Sequence, residues 1–302
     1  MTEQSHRALS LAKPVSKVKT ARRDDKRILR RFLRNRAAVV SLIVLVVIVL
    51  MTVGAPLIQR YGYEQIDLRA RSSPPSAEHW FGTDRVGRDV WSRLLNGGQV
   101  SLIVGFGATL VSTLIGTVLG ALSGYYRGKV DMVIMRITDM FMTFPSIIIM
   151  LTLAAMLPRS IWTIVFIIGG LSWTGTARMV RSQVLSIREL DYILACRCLG
   201  FSDRRIIVVH VLPNVFGSLV ALVTFAIGSA ILTEAGLSFL GLGIPPPTPS
   251  WGNMLEAARN LDILRNVPWM WVPPAIMLVL TVLAVNFIGD GVRDAVDPRM
   301  VL

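Results

Sequence analysis

Residues 188–214 read RELDYILACRCLGFSDRRIIVVHVLPN. The stretch lies between two uncharged apolar runs, where a plain connection would need only a few polar residues. Instead it holds a helical run, ELDYILACRCLG, that stops at Gly200. A second start follows at SDRR, with Ser202 placed to cap and Asp203 in the first turn. Ile206, Ile207, Val208 and Val209 lead back into apolar sequence, and Leu212-Pro213 punctuates before the next run. The pattern predicts a short helix displayed parallel to a membrane. Its apolar residues have no core of their own to join, so they call for a partner surface.

The sequence on either side is built for a bilayer. Of 302 residues, 53% are hydrophobic and 17% charged, against about 25% charged in a soluble domain. Six runs lack Asp, Glu, Lys and Arg: between Arg36 and Arg60, Arg93 and Arg127, and Asp139 and Arg159, then 160–177, 206–233 and 266–289. Each holds about 18 or more residues, enough to cross roughly 30 Å of hydrocarbon as a helix. This predicts an all-α integral membrane protein with six spans, near 38–58, 100–124, 132–157, 160–180, 215–234 and 270–289. The first run is too long for a cleaved signal and lacks a small-x-small site, so it reads as a retained anchor.

The net charge of +13 is an orientation signal. Residues 1–36 carry twelve Lys or Arg against three acids, and 178–205 carry six against three. Cytoplasmic loops hold the excess of Lys and Arg, so both segments are expected there, and an even span count returns 293–302 to the same side. Topology explains these flanking charges better than nucleic-acid binding does. The expected division is a basic tail over 1–36, a first span and external segment over 37–99, a five-span core over 100–292, and a cytoplasmic end over 293–302. Ile28, Leu29, Phe32 and Leu33 form a stripe that suits an interfacial helix or an unstructured basic lead-in.

Several local features add detail. GRDVWSRLLNGG, 87–98, predicts a short external helix closed by Gly97. Gly116, Gly120 and Gly124 permit close helix approach. Arg136 and Asp139 are spaced to pair, and Pro145 predicts a kink. Glu234, at a span boundary, reads as an interface or helix contact before a substrate contact. SFLGLGIPPPTPSWGNM, 238–254, predicts a rigid non-helical loop. Pro268, Pro273 and Pro274 suit the first turns of the last span, and GDGVRDAVDPRM its stop.

Enzymatic chemistry is not visible. His6, His79 and His210 share no site or metal spacing. Cys196 and Cys198 fall on different helix faces and read as small packing residues. Gly128-Lys129 lacks the rest of a phosphate loop, so any ATP would be hydrolysed by another chain. The spans also lack paired intramembrane acids and bases, which disfavours ion coupling.

Residues 194–213 resemble the coupling motif of ABC importer permeases: Glu-Ala-Ala, three residues, Gly, nine residues, then Ile-x-Leu-Pro. Leu194, Ala195 and Cys196 occupy the first three places, Gly200 the turn, and His210, Val211, Leu212 and Pro213 the end. Leu194, Cys196 and His210 depart from the pattern. FGTDRVGRDVWSRLLNGGQVSL, SFLGLGIPPPTPSWGNM and NFIGDGVRDAVDP are similar to signatures of the C-type permease of dipeptide, oligopeptide and nickel importers. The resemblance spans about residues 28–300. It implies that Leu194, Ala195, Cys196, Gly200, Leu212 and Pro213 couple to an ATPase. It also implies a B-type permease partner, two cytoplasmic ATPase subunits using ATP and Mg, an external solute-binding protein and a bacterial inner membrane, with no nucleic acid and no cofactor in this chain. Peptide is the expected cargo; nickel, glutathione or short oligosaccharides are alternatives, and a self-sufficient channel or ion-coupled carrier is the reading from another class.

Overall fold

The computed structural model describes residues 30–296, and every named element within them is helical. Residues 1–29 and 297–302, with most of the basic tail and the end of the chain, lie outside the described residues. We number the principal helices α1 Arg36–Val53, α2 Val90–Tyr126, α3 Gly128–Thr143, α4 Ser146–Met156, α5 Ile161–Leu171, α6 Trp173–Ile187, α7 Asp191–Cys198, α8 Leu212–Phe239, α9 Trp251–Leu255, α10 Leu261–Asn266 and α11 Val272–Val296. Among the described residues, four helical stretches are long and apolar enough to cross a membrane: α1, α2, α11 and the continuous Asp203–Phe239. Two bent pairs, α3 with α4 and α5 with α6, bring the count to six if each pair is one span.

The bends have local causes. α3 and α4 meet at 81° across Phe144-Pro145, where the proline ring cannot continue the ladder. α5 and α6 meet at 41° across Ser172.

Three helices outrun the expected spans. α2 has 37 residues, about 55 Å of helix against about 30 Å of hydrocarbon. It begins at Val90 and passes through Gly97 without stopping. Gly97 and Gly98 are packing residues here, set against the Ser250 backbone and the Trp251 ring. Leu212-Pro213 likewise does not interrupt the helix. A π-turn over Ile206–Val211 feeds straight into α8, with the Leu212 N–H donating to the Ile207 carbonyl five residues back, and this shifted ladder carries the continuous helix past Pro213. The last helix also runs past Gly289 and Gly291 to Val296, because Gly291 is pressed against Ala38 and Phe32. A Gly that ends a helix and a Gly that admits a neighbour look alike in sequence.

Three buried clusters hold the bundle. One joins α2 to α4, α5 and α8 through Val104, Ala108, Ile164, Ile168 and Leu237. A second joins α1, α2, α8, α9 and α11 around Trp251. A third joins the end of α2 to α6, α7 and the π-turn through Tyr125, Val180, Val184, Ile193 and Ile206. Gly116, Gly120 and Gly124 form the α2–α6 seam. A Cβ on Gly116 would stand 2.6 Å from the Thr176 Cβ, and one on Gly120 2.5 Å from the Ala177 carbonyl. Their close partner is thus α6 of the same chain.

Candidate functional site

The segment 188–213 is a separate helix, a turn and a return helix. α7 ends in a Schellman turn: the Phe201 N–H donates to the Cys196 carbonyl at 3.1 Å, and the Gly200 N–H to the Arg197 carbonyl at 2.9 Å. Gly200 has φ +77°, and a Cβ there would meet nothing within 4 Å. Glycine is required by the backbone alone, because an L side chain is strained in the left-handed region.

Ile193 is fully buried in the third cluster, and Cys196 packs beside it with Phe201. Leu190, Leu194 and Leu199 point outward, at 47%, 42% and 73% exposure. Ala195 and Cys198 are exposed with them, and both cysteines are free thiols. Leu212 packs against the third cluster, and Pro213 follows it in the return helix. The His210 ring stacks on Phe201, with centroids 6.3 Å apart. The structure thus divides the six sequence-predicted residues: Leu194 and Ala195 face outward, Cys196 and Leu212 face the bundle, and Gly200 and Pro213 shape the backbone.

A polar girdle fixes this segment to the bundle. Arg181 donates to both oxygens of Asp131 at 2.5 and 2.6 Å, and Ser123 donates to the same carboxylate at 2.5 Å. The Tyr125 hydroxyl donates to Asp203 at 2.7 Å, and the Arg197 guanidinium lies 5.0 Å over the Tyr125 ring. Arg188 donates to the Tyr125 carbonyl, and Arg127 meets Glu189 at 2.8 Å. Burial, with Arg127 and Arg197 close by, lowers the Arg188 pKa from its usual arginine value. Asp139, expected to pair with Arg136, instead accepts from Arg178 at 2.7 Å. The 41° bend brings α6 back alongside α3, so the cross-helix partner wins over the local one.

The opposite end, holding 59–89 and 240–270, is closed on itself. The Asp89 side chain caps α2 by accepting from the Ser92 N–H at 2.8 Å, and His79 Nδ1 lies 2.9 Å from its other oxygen. Glu234 is fully buried and accepts from Ser101 at 3.1 Å and Ser238 at 2.7 Å. Ser101 Oγ in turn accepts from the Trp251 N–H at 3.2 Å. Glu234 therefore makes a helix contact. The loop 240–250 is non-helical, but WGNM begins α9, because Ser250 and Asn253 form a capping box there.

The family model for the binding-protein-dependent transport system inner membrane component matches residues 116–302, more than half of the chain. The chain belongs to this family. A second model, the N-terminal TM domain of oligopeptide transport permease C, matches residues 26–75. A Brucella suis protein with "peptide permease" in its name is 46% identical over 269 residues, covering 89% of each chain. The oligopeptide transport system permease protein OppC of Bacillus subtilis is 40% identical over 270 residues, covering 89% of this chain and 88% of its own. OppC of Haemophilus influenzae is 41% identical over 273 residues, covering 89% and 87%. The protein is a multi-pass inner-membrane permease subunit of an ABC importer, and the family's role is a passage rather than catalysis.

Sequence reasoning missed the girdle. Asp131, Arg181, Tyr125 and Asp203 come from four separate stretches, and only the seam that sets α2 against α6 brings them together.

Proposed function

We propose that this chain is the C-type half of a peptide importer's membrane passage and that α7 with its turn, residues 189–205, is its coupling helix. One observation carries the reading: an outward apolar face, Leu190, Leu194 and Leu199, on a helix whose other face is buried at Ile193. Such a face needs a groove to enter. The coupling pattern places Glu where this chain has Leu194, so the contact here is apolar.

In this reading the Gly200 end and both termini are cytoplasmic, and two ATPase subunits that use ATP and Mg seat the helix. A homologous B-type permease completes the passage, and an external binding protein delivers peptides to the Trp251 end. The names of the relatives support peptide as cargo. ATP binding closes the ATPase pair and moves α7. The girdle makes that movement felt by α2, α3 and α6, since an equilibrium shifts only through contacts that differ between its states.

The test is to place bulky side chains at Ala195 and Gly200 in the whole complex. Ala195→Trp and Gly200→Val are expected to reach the membrane folded but to lose ATPase co-purification and peptide uptake. Normal assembly with normal transport in both variants overturns the reading.

A further inference from the structure

A cleft of about 300 Å³ opens between α2, the α5–α6 break and α8. Its lining carries six hydroxyls: Thr109 and Ser112 from α2, Ser172 at the break, Thr176 from α6, and Ser229 and Thr233 from α8. None of the lining residues is Asp, Glu, Lys or Arg, and Phe225 supplies an aromatic wall. The bend at Ser172 lies at the cleft, and Gly175 lines it without a side chain.

The hydroxyls are only partly used by the protein. Ser172 and Ser229 are exposed and Thr233 is half-buried, while Thr109, Ser112 and Thr176 are buried behind them, the Thr109 Oγ1 without a protein partner among the described residues. Ser112 donates to the Thr109 carbonyl at 3.0 Å and Thr233 to the Ser229 carbonyl at 2.8 Å, which leaves both oxygens free to accept. The row continues along α2 at Thr113 and Thr117, whose hydroxyls also lack partners among the described residues. The cleft thus offers donors and acceptors side by side without fixed charge.

That chemistry selects its occupant. A carboxylate or ammonium would shed water here without finding a counter-charge. A hard cation would find no carboxylate. A peptide unit presents one N–H and one C=O, and hydroxyls answer both. The volume equals about ten water molecules at about 30 Å³ each, room for a short run of main chain. Hydrogen bonds to neutral hydroxyls are individually weak, which suits a passage whose cargo must also leave.

We infer that this cleft is a main-chain amide subsite, where a passing peptide exchanges water for the open hydroxyls of Ser172, Ser229 and Thr233 whatever its side chains. The inference rests on the peptide-importer reading above and deepens it.

The test uses the complete importer in proteoliposomes with trialanine, Lys-Ala-Lys, Glu-Ala-Glu and backbone N-methylated trialanine as probes. Ser229→Ala with Thr233→Val removes two open hydroxyls at nearly constant shape. Uptake of the three unmethylated peptides is expected to fall together, by about five-fold per hydroxyl, while Ser229→Thr and Thr233→Ser, which keep the hydroxyls, retain it. N-methylated trialanine is expected to enter the wild type slowly and to lose less in the double variant, because the two changes remove the same contacts. Equal uptake by wild type and double variant overturns the subsite while leaving peptide import standing, as does a loss confined to one charge class. A wild-type importer that takes up none of the peptides overturns the broader reading as well. If that pair does not assemble with the ATPases, Ser172→Ala makes the same comparison from the α5–α6 break.

Discussion

Two Schellman turns mark the two ends of this bundle, and their surroundings are opposite. At Gly241, φ +82°, the Leu242 N–H donates to the Leu237 carbonyl at 3.0 Å; Leu237 belongs to a buried cluster and Leu242 packs against it. At Gly200 the hydrogen bonds are the same in kind, yet open space surrounds the turn and Leu199 beside it is 73% exposed. One turn folds a loop back onto the protein, and the other holds a helix out from it. Identical backbone chemistry can seal a surface or present one, and the side chains next to the glycine decide which.

The Trp251 end is where substitution should cost most. Trp251 is fully buried, donates from Nε1 to the Leu94 carbonyl at 3.0 Å and fills the space that Gly98 leaves. Trp251→Ala should cost about 3–5 kcal/mol, read as a fall in thermal midpoint in detergent and in folded protein in the membrane. Glu234→Ala comes next. It leaves the Ser238 and Ser101 hydroxyls without their carboxylate, at about 1–3 kcal/mol. Glu234→Gln, which keeps an acceptor in place, should lose less in the same melt. Should both variants melt like the wild type, this end is not sealed by the contacts described, and the contrast between the two ends breaks.

Much of this contrast was legible in the sequence. The uncharged runs marked the four spanning helices and the two bent pairs, Pro145 its kink and Gly200 its turn, because each rests on local backbone or hydropathy physics. The helix ends were less legible. Gly97, Gly289 and Gly291 read as stops but are contact points, since only the neighbouring helix tells whether a missing Cβ serves a turn or an approach. Leu212-Pro213 read as a break, and the π-turn before it kept the helix whole. Asp139 paired across helices and not with Arg136, because charge spacing along one helix says nothing of a neighbour. The cleft hydroxyls were invisible for a related reason: serine and threonine in a span have no period that separates a lining from a helix seam.

At the Gly200 end the effects on folding should be smaller and those on transport larger. Gly200→Ala places an L residue at φ +77° and should cost about 1–2 kcal/mol, while Gly200→Asn should recover part of that because Asn tolerates the left-handed region. The smallest change in stability should come from Leu199→Gln. Leu199 is 73% exposed, so the substitution removes little buried area, and surface changes of this kind stay within about 0.5 kcal/mol. Its midpoint in detergent should match the wild type, while association with the ATPase subunits and peptide uptake should drop together. The pairing of results matters more than either alone. A variant that melts normally and docks poorly separates presenting a surface from holding a fold, as the two Schellman turns predict. A variant that both melts and docks normally removes Leu199 from the docking face and leaves Leu190 and Leu194 to carry it.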